Sequence, residues 1–334
     1  MSNVRVLAVT VSYRTADLVI RGLQSLAEER AAGLGNLEVI VVDNDSGDYP
    51  AIQEAIVQHL WTSWVTALAA PRNGGFAYGN NFALRHYYAR RPKPDYVYLL
   101  NPDAWVKPGA LRALVDSLES RPSAGIAGSS FETPDGRPWP IAFRFPGVVS
   151  EVTCGLGVGL IERLLRRWTV AQVMTDVEQP IGWVSGASML IRASTMEEVG
   201  GLDERYFLYF EETDFCLRAR RTGHFTWYVP RSRVVHLIGH TTSVSNSADA
   251  FRSLPAYWFE SRRRYFYLAY GWWGSAIIDV CAIAANALGA VKQWILGRER
   301  RSHFVRDLIR FSILRRRNRV IAERLCFPPA RRNG

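Results

Sequence analysis

Cysteine is scarce in this 334-residue chain, and what there is lies scattered: Cys154, Cys216, Cys281 and Cys326 form no CxxC pair and no metal-ligand spacing. That argues against a disulfide framework or a zinc site, and for buried thiols in a reducing compartment. A GxGxxG turn is missing as well. The first apolar strand runs into SYRTAD (Ser12–Asp17), which has no glycine, so the close backbone approach that a dinucleotide dehydrogenase needs is poorly supported. Nor is there the ordered basic segment, apolar run and small-residue cleavage site of a signal peptide; Met1 leads almost directly into the apolar stretch Val4–Val11. A catalytic body facing the cytoplasm is the expectation. Long charge-free runs are wanting too. Within Trp272–Leu296 the longest, Val280–Val291, falls below the ~18 residues that mark a spanning helix.

Acidic residues run short at one end only. From Arg252 onward seventeen Arg and Lys face five Asp and Glu, a local excess of +12, whereas the first 251 residues carry 24 basic and 26 acidic side chains. A near-neutral body with a basic appendage points to an anionic surface, either lipid headgroups or nucleic acid.

What is present is an alternation of apolar strands and helices. VRVLAVTVSY (Val4–Tyr13) is short, β-branched and mostly apolar, as a strand buried on both faces must be. Ala16–Arg30 then sets Leu18, Val19, Leu23 and Leu26 at helical spacing. LEVIVVDNDSG (Leu37–Gly47) reads as a second strand, Ala51–Leu60 as a helix and Trp64–Ala69 as a third strand. Phe82–Tyr88 follows as a helix, and YVYLLNPDAWV (Tyr96–Val106) as a strand stopped by Pro102. Arg121–Pro146, rich in Gly, Pro and Ser, predicts loops or a hairpin, Trp183–Arg192 a strand and Ser194–Val199 a helical turn. The pattern predicts an α/β fold with a mostly parallel, doubly wound sheet, whose ligands bind beyond the carboxyl ends of the strands. No linker divides residues 1–250, which read as one catalytic domain, with 251–334 as a basic helical tail.

Four polar clusters fall at element ends. Asp43, in VVDNDSG, is by itself an ordinary turn residue, but at the mouth of a parallel sheet it can accept from the N3–H of a pyrimidine. RNGGFAYGNN (Arg72–Asn81) sets two adjacent glycines before a helix, so that backbone N–H groups can approach a ligand closely; alone, such a loop says little. In LLNPDAWV, Asn101–Pro102–Asp103 ends an apolar strand, and the fixed proline φ holds the carboxylate at the sheet edge. One carboxylate plus diphosphate oxygens is how Mg2+ or Mn2+ is commonly held, because these hard ions retain substrate and water ligands. An exposed turn aspartate is the bland alternative. YFLYFEETDFCLRARRTG (Tyr206–Gly223) puts Glu211, Glu212 and Asp214 where an aromatic stretch becomes a helix. The macrodipole favours ionised carboxylates there, which suits a general base, and at least one of the three is expected to be only a cap. Downstream, RVVHLIGHTTS (Arg233–Ser243) offers His236 and His240, and a single histidine is more often structural than a ligand.

In this order and at this spacing the clusters resemble the large GT-A family of inverting glycosyltransferases, especially bacterial rhamnosyltransferases and galactofuranosyltransferases. The resemblance covers about Val4 to Ser243, with a weaker echo in ESRRRYFYLAYG (Glu260–Gly271). It implies a GT-A-type, Rossmann-like sheet. It also implies metal-dependent transfer of a hexose from a nucleotide diphosphate to a hydroxyl of a lipid-linked or polymeric glycan, in cell-envelope polysaccharide synthesis. Tyr13 and Asp43 are then implied at the nucleotide base, and Asn73, Gly75, Phe76, Asn80 and Asn101 beside the nucleotide-sugar. Trp183, Gly186 and Ala187, from the W-x-x-G-A loop, fall at the acceptor. The NPDA form of the D-x-D element makes Asp103 the carboxylate for Mg2+ or Mn2+, with His236 near the metal. The acidic pair reads Glu211–Glu212; Glu212 is assigned the base, and Glu211 the stabilisation of developing charge. Three features depart from the pattern: Arg14 follows Tyr13 where Asn is common, the acidic pair is Glu-Glu, and His240 competes with His236. The resemblance leans to rhamnose from dTDP-rhamnose, with a galactofuranosyl or other hexosyl UDP-sugar as the runner-up.

In the tail, Asp279, Asn286 and Gln293 recur every seven residues opposite Ile277, Cys281, Ala284, Leu288, Val291 and Ile295, an amphipathic pattern. Phe304, Val305, Leu308 and Phe311 likewise alternate with Arg306, Arg310 and Arg315–Arg317. Such helices lie in the headgroup plane of an anionic membrane, with tryptophans at the boundary. That would make the enzyme peripheral at the inner face of the cell membrane, with a tail that localises it and performs no chemistry. The alternative is a helical pair packed on the body or on a second copy in a homo-oligomer. Two other classes remain: a nucleic-acid-binding protein and a non-catalytic carbohydrate binder. The tail's aromatics sit within apolar runs and not between basic residues, so nucleic acid is not expected as a partner. The set Asp43, Asp103, Glu212 and His236 argues against a mere binder, which needs neither base nor metal.

Overall fold

Every residue of β1 (Val6–Ser12) is buried, because helices cover the sheet on both faces. Val6 and Ala8 join one apolar cluster, Leu7 and Val9 the other, as a period of two demands. β1 pairs in parallel with β2 (Leu37–Asp43), which carries β3 (Val65–Ala69), and on its other side with β4 (Tyr96–Leu100). On one face lie α1 (Ala16–Ala31) and α2 (Tyr49–Gln58), anchored by Val19, Leu23, Leu26 and Ile52. On the other lies α3 (Gly75–Tyr88), through Ala77, Ala83 and Leu84. The computed structural model describes residues 4–139, 141–158, 163–237, 254–297 and 302–315.

Beyond β4 the chain adds β5 (Ala104–Val106), α4 (Ala110–Glu119) and β6 (Ala124–Glu132). The short strands β7 (Pro138–Trp139) and β8 (Ile141–Phe143) follow, then α5 (Val148–Leu156), β9 (Ala171–Val173) and β10 (Gln179–Ile181). β11 (Ser188–Arg192), α6 (Ala193–Val199), α7 (Glu211–Arg221) and β12 (Phe225–His236) complete the sheet and its cover. The strand order is β10-β12-β6-β11-β4-β1-β2-β3. β1 to β4 are parallel, β11 runs antiparallel between β4 and β6, and β12 is parallel to β6. The expected mostly parallel α/β sheet is thus present.

Two stretches differ from expectation. Arg121–Pro146 does hold a hairpin, β6 pairing antiparallel with β7, but β6 is also a nine-residue, almost wholly buried strand of the main sheet. Its small residues carry no apolar signature but allow close packing: a Cβ on Gly128 would stand 2.2 Å from Val184. Trp183–Arg192 is a strand only from Ser188; Trp183 makes an isolated bridge to Phe143. The thiols also differ: Cys216 is buried, Cys281 half-buried and Cys154 exposed.

The tail forms α8 (Ala256–Ile295), broken at Gly271 (φ 70°, ψ −175°), and α9 (Ser302–Phe311). By length and composition alone α8 could cross a membrane. Its first half, however, is buried against the body through Tyr265 and Phe266, which cluster with Tyr206. The apolar face expected to carry α9 into lipid packs instead on α8, with Leu308 and Phe311 buried beside Phe259. Two tail arginines serve the fold. Arg262 is 3% exposed and bridges Glu151 (2.6 Å) and Asp279 (2.7 Å), while Arg264 donates to Asp203.

Candidate functional site

At the carboxyl ends of β1, β2 and β4 a cavity of about 350 Å3 opens. It is lined by Tyr13, Asn73, Gly75, Phe76 and Asn101, five of the residues expected beside a nucleotide-sugar. Asn44 ties its floor together. Its amide nitrogen donates to Asn73 Oδ1 (2.9 Å) and Gly75 O (3.2 Å), and Gly75 N–H donates to the same Asn73 oxygen (3.1 Å). Asn80 stands behind this wall, its amide donating to Phe76 O (2.9 Å). Arg14 holds a left-handed φ of 58°, a conformation that asparagine tolerates better than most residues. Its guanidinium stacks 5.3 Å from the Tyr13 ring centre.

Asp43 is buried and already engaged. Oδ1 accepts from Ser46 N–H (2.9 Å) and Ser46 O–H (2.6 Å), and Oδ2 from Tyr49 N–H (3.0 Å). A carboxylate offers about four acceptor positions, so its first task is to shape the turn into α2.

The NPD turn is positioned by strand register. In the antiparallel β5–β12 ladder His236 faces Ala104, and Leu237 N–H donates to Asp103 O (3.0 Å). The imidazole and carboxylate therefore meet, His236 Nε2 standing 3.3 Å from Asp103 Oδ1. No group of three or more His, Cys, Asp or Glu side chains suited to a metal occurs among the described residues. A two-residue donor set of oxygen and imidazole fits an ion that takes its other ligands from diphosphate and water. His240, the competing histidine, lies outside the described residues.

Tyr209 and Phe210 both sit at φ 70°, a conformation costing roughly 1–2 kcal/mol for a residue with a side chain. This turn starts α7 and sets Glu211 and Glu212 at its first two positions. Glu211 is 2% exposed, Glu212 half-buried. Burial, and then the Glu212 charge, push the Glu211 carboxyl well above its ordinary range. Burial raises Glu212 as well, opposed by hydrogen bonds from its own N–H and from Gly186 N–H. Two adjacent carboxyls cannot both ionise readily, and of the two only Glu212 is opposed in its rise by a hydrogen bond from another loop, that of Gly186 N–H. Asp214 is the structural member of the trio, paired with Arg218 at 2.7 Å.

The W-x-x-G-A loop meets these parts. A Cβ on Gly186 would stand 2.9 Å from the Phe76 ring, and Ala187 O accepts from Asn101 N–H (3.2 Å). Trp183 stacks on Phe143 (4.1 Å between ring centres) and donates from Nε1 to Arg144 O (3.0 Å), so much of its surface is engaged by the fold.

Sequence reasoning missed Asn44, Phe207, Leu208 and Tyr257 in the cavity wall. Asn44 adjoins a singled-out aspartate and could have been found. Tyr257 comes from α8, packs on Phe207 (5.2 Å) and Tyr209 (6.2 Å), and carried no local signal. The tail thus helps to build the site, beyond the localising duty expected of it.

A family model described as glycosyl transferase family 2 matches residues 8–146. The N-acetylglucosaminyl-diphospho-decaprenol L-rhamnosyltransferase of Mycobacterium tuberculosis is 32% identical over 278 residues, spanning 79% of this chain and 85% of the relative. Rhamnosyltransferase WbbL of Escherichia coli is 28% identical over 53% of this chain and 66% of its own length. Among solved structures, the mannosyltransferase PcManGT from Pyrobaculum calidifontis, in complex with GDP-Man and Mn2+, superposes with a TM-score of 0.50 at 16% identity. That match covers 92% of this chain and 84% of that one. GalNAc-T7 with UDP, GalNAc and Mn2+ gives 0.52 at 14% identity, over 71% and 44%. These two likenesses show a shared GT-A fold.

Proposed function

This chain belongs to glycosyl transferase family 2, and from that premise we propose that it is a metal-dependent, inverting rhamnosyltransferase. Its donor is dTDP-rhamnose, and its acceptor a hydroxyl of a lipid-linked glycan in cell-envelope polysaccharide synthesis. That it is a glycosyltransferase follows from the family; the sugar and acceptor are the further step. The observation that carries them is the 32% identity, across 85% of its length, to a relative named for transferring L-rhamnose to N-acetylglucosaminyl-diphospho-decaprenol. A lipid-linked acceptor also supports a working place at the cytoplasmic, anionic surface of the membrane.

In this reading the cavity beside Tyr13, Asn73 and Phe76 takes the nucleotide-sugar, and the loop around Gly186 takes the acceptor. Glu212, ionised next to a protonated Glu211, accepts the proton of the acceptor hydroxyl. That oxygen bonds to the anomeric carbon as the bond to the diphosphate oxygen breaks on the opposite face, so configuration inverts. Asp103 and His236 would hold Mg2+ or Mn2+, which supplies positive charge to the departing diphosphate. The Mn2+ in the mannosyltransferase and GalNAc-T7 complexes supports this choice.

The test is a panel of nucleotide-sugars with Mn2+ and a polyprenyl-diphosphate-linked N-acetylglucosamine acceptor, scored by nucleoside diphosphate release. dTDP-rhamnose should be turned over fastest, and EDTA or Asp103→Ala should abolish transfer. Preference for UDP-galactofuranose would shift the assignment to the runner-up donor. Full activity after exhaustive chelation would refute the metal reading.

A further inference from the structure

In the second half of α8 the polar and apolar rows are exchanged relative to a helix on an ordinary protein surface. Trp273, Ile277, Val280, Leu288, Val291 and Ile295 fall at helical spacing on one face, and all are exposed: Trp273 by 77%, Leu288 by 62%, Ile295 by 71%. The opposite row, with Ser275, Asp279, Ala282, Asn286 and Gly289, is buried. The sequence pattern placed polar and apolar stripes on opposite faces; it did not show that the polar stripe turns inward.

Close contacts lock that orientation. Asp279 accepts from Arg262 (2.7 Å) and from Ile313 N–H (2.8 Å). A Cβ on Gly289 would stand 2.2 Å from Gly155 O, so helix and α5 touch backbone to backbone. Lys292 Nζ donates to Gly157 O (2.7 Å). A helix held along one side by the body cannot be surrounded by lipid, so it cannot span a bilayer in this arrangement. Its free row, about 33 Å long at the rise of an α-helix, is larger than the scattered apolar residues a soluble protein normally exposes.

What surrounds the row identifies its partner. Trp272, Trp273 and Trp294 are all exposed, and tryptophan is a common member of the apolar face of a helix that lies in the headgroup layer. A few residues beyond Gly157 in sequence, Arg163 and Arg167 are exposed, and Leu164 is 70% exposed. Arg306, Arg310 and Arg315 are exposed on α9 and just after it, the stretch that docks at Asp279. Cations around an apolar stripe complement an anionic headgroup layer. We propose that this row is the enzyme's bilayer-docking face, lying flat in the headgroup region of an anionic membrane. The proposal rests on the lipid-linked acceptor proposed above and names the surface that meets the lipid. The same helix delivers Tyr257 to the donor cavity, so docking brings the site to the surface from which such an acceptor projects.

The experiment is co-flotation of the full chain with vesicles of phosphatidylcholine and phosphatidylglycerol, and with phosphatidylcholine alone. It compares wild type with Ile277→Glu/Leu288→Glu, two exposed positions where the thermal midpoint should stay unchanged. Wild type should float with the anionic vesicles, and brominated lipid should quench its tryptophan fluorescence. High salt should weaken flotation without eliminating it, because apolar contact is not screened. The double variant should partition on the order of 10-fold less or weaker still. Unchanged flotation of the variant would overturn the proposal. So would a wild-type dimer, by ultracentrifugation, that the variant dissolves while neither form binds vesicles, because the row would then face a second copy. Flotation is read without substrate, so its failure is distinct from failure of the transfer assay. Docking without transfer of any sugar would leave this face standing and remove the transferase reading.

Discussion

Gly75 and Gly109 hold nearly the same left-handed backbone, at φ 85° and 80°, in unlike surroundings. A Cβ on Gly109 would meet nothing within 4 Å, whereas one on Gly75 would stand 1.8 Å from Phe207 O and 2.6 Å from its carbonyl carbon. Alanine at either position costs about 1–2 kcal/mol for the left-handed conformation. It regains about 0.4–1 kcal/mol by restricting the unfolded chain. Gly109→Ala should therefore lose about 1 kcal/mol. Gly75→Ala adds an overlap with backbone that a side chain cannot relieve, about 1–3 kcal/mol more. It must also push apart the Phe76 N–H to Phe207 O bond of 3.1 Å, which closes the cavity wall. Urea unfolding gives the stabilities, and titration with dTDP reads the cavity. The expected pattern is a mild Gly109→Ala with normal dTDP affinity beside a weaker Gly75→Ala that binds dTDP poorly. Equal stability and equal affinity for the two variants would refute the close approach and the placement of the nucleotide.

Tyr257→Ala should weaken donor binding and raise KM more than it lowers kcat, because Tyr257 lines the cavity wall; a pure kcat effect in initial-rate kinetics would contradict that role. Arg262→Ala leaves Asp279 buried, among the described residues, beside the Ile313 N–H alone, and should cost about 3–5 kcal/mol in urea unfolding; a loss below about 1 kcal/mol would show that the pair is not buried. Glu211 stays protonated in the folded chain to a pH at which the unfolded chain has ionised it, so its contribution to stability falls as pH rises from the ordinary carboxylate range to the raised value. Glu211→Gln should thus raise the thermal midpoint at neutral pH and approach wild type towards about pH 4; a lower midpoint at neutral pH would reverse the sign.

The parallel half of the sheet was legible because β1, β2 and β4 are continuous apolar runs that only double-sided burial explains. β6 was not, because its packing depends on Gly125, Gly128 and Ser129, residues that read as loop until a neighbour approaches. At the site, Asn73, Gly75, Phe76 and Asn101 were assigned through the resemblance, the local glycine loop alone saying little, and they line the cavity. The Asp103–His236 meeting depends on a register between strands more than a hundred residues apart, and the resemblance alone anticipated it. Tyr257 and the inward polar row of α8 are tertiary outcomes: both require knowing which surface the tail packs on. Asp43 was legible as important, but its three donors show first a turn-shaping role.

Glu212 is the group proposed to take the acceptor proton during sugar transfer. The direct measurement is single-turnover transfer from dTDP-rhamnose to the lipid-linked acceptor by Glu212→Gln, with donor affinity measured on the same preparation. Glutamine keeps the shape and removes the proton acceptor, so donor binding should persist while transfer falls by roughly 10²-fold or more. A Glu212→Gln enzyme that transfers normally, beside an inactive Glu211→Gln, would contradict the account and move the base one residue back along α7.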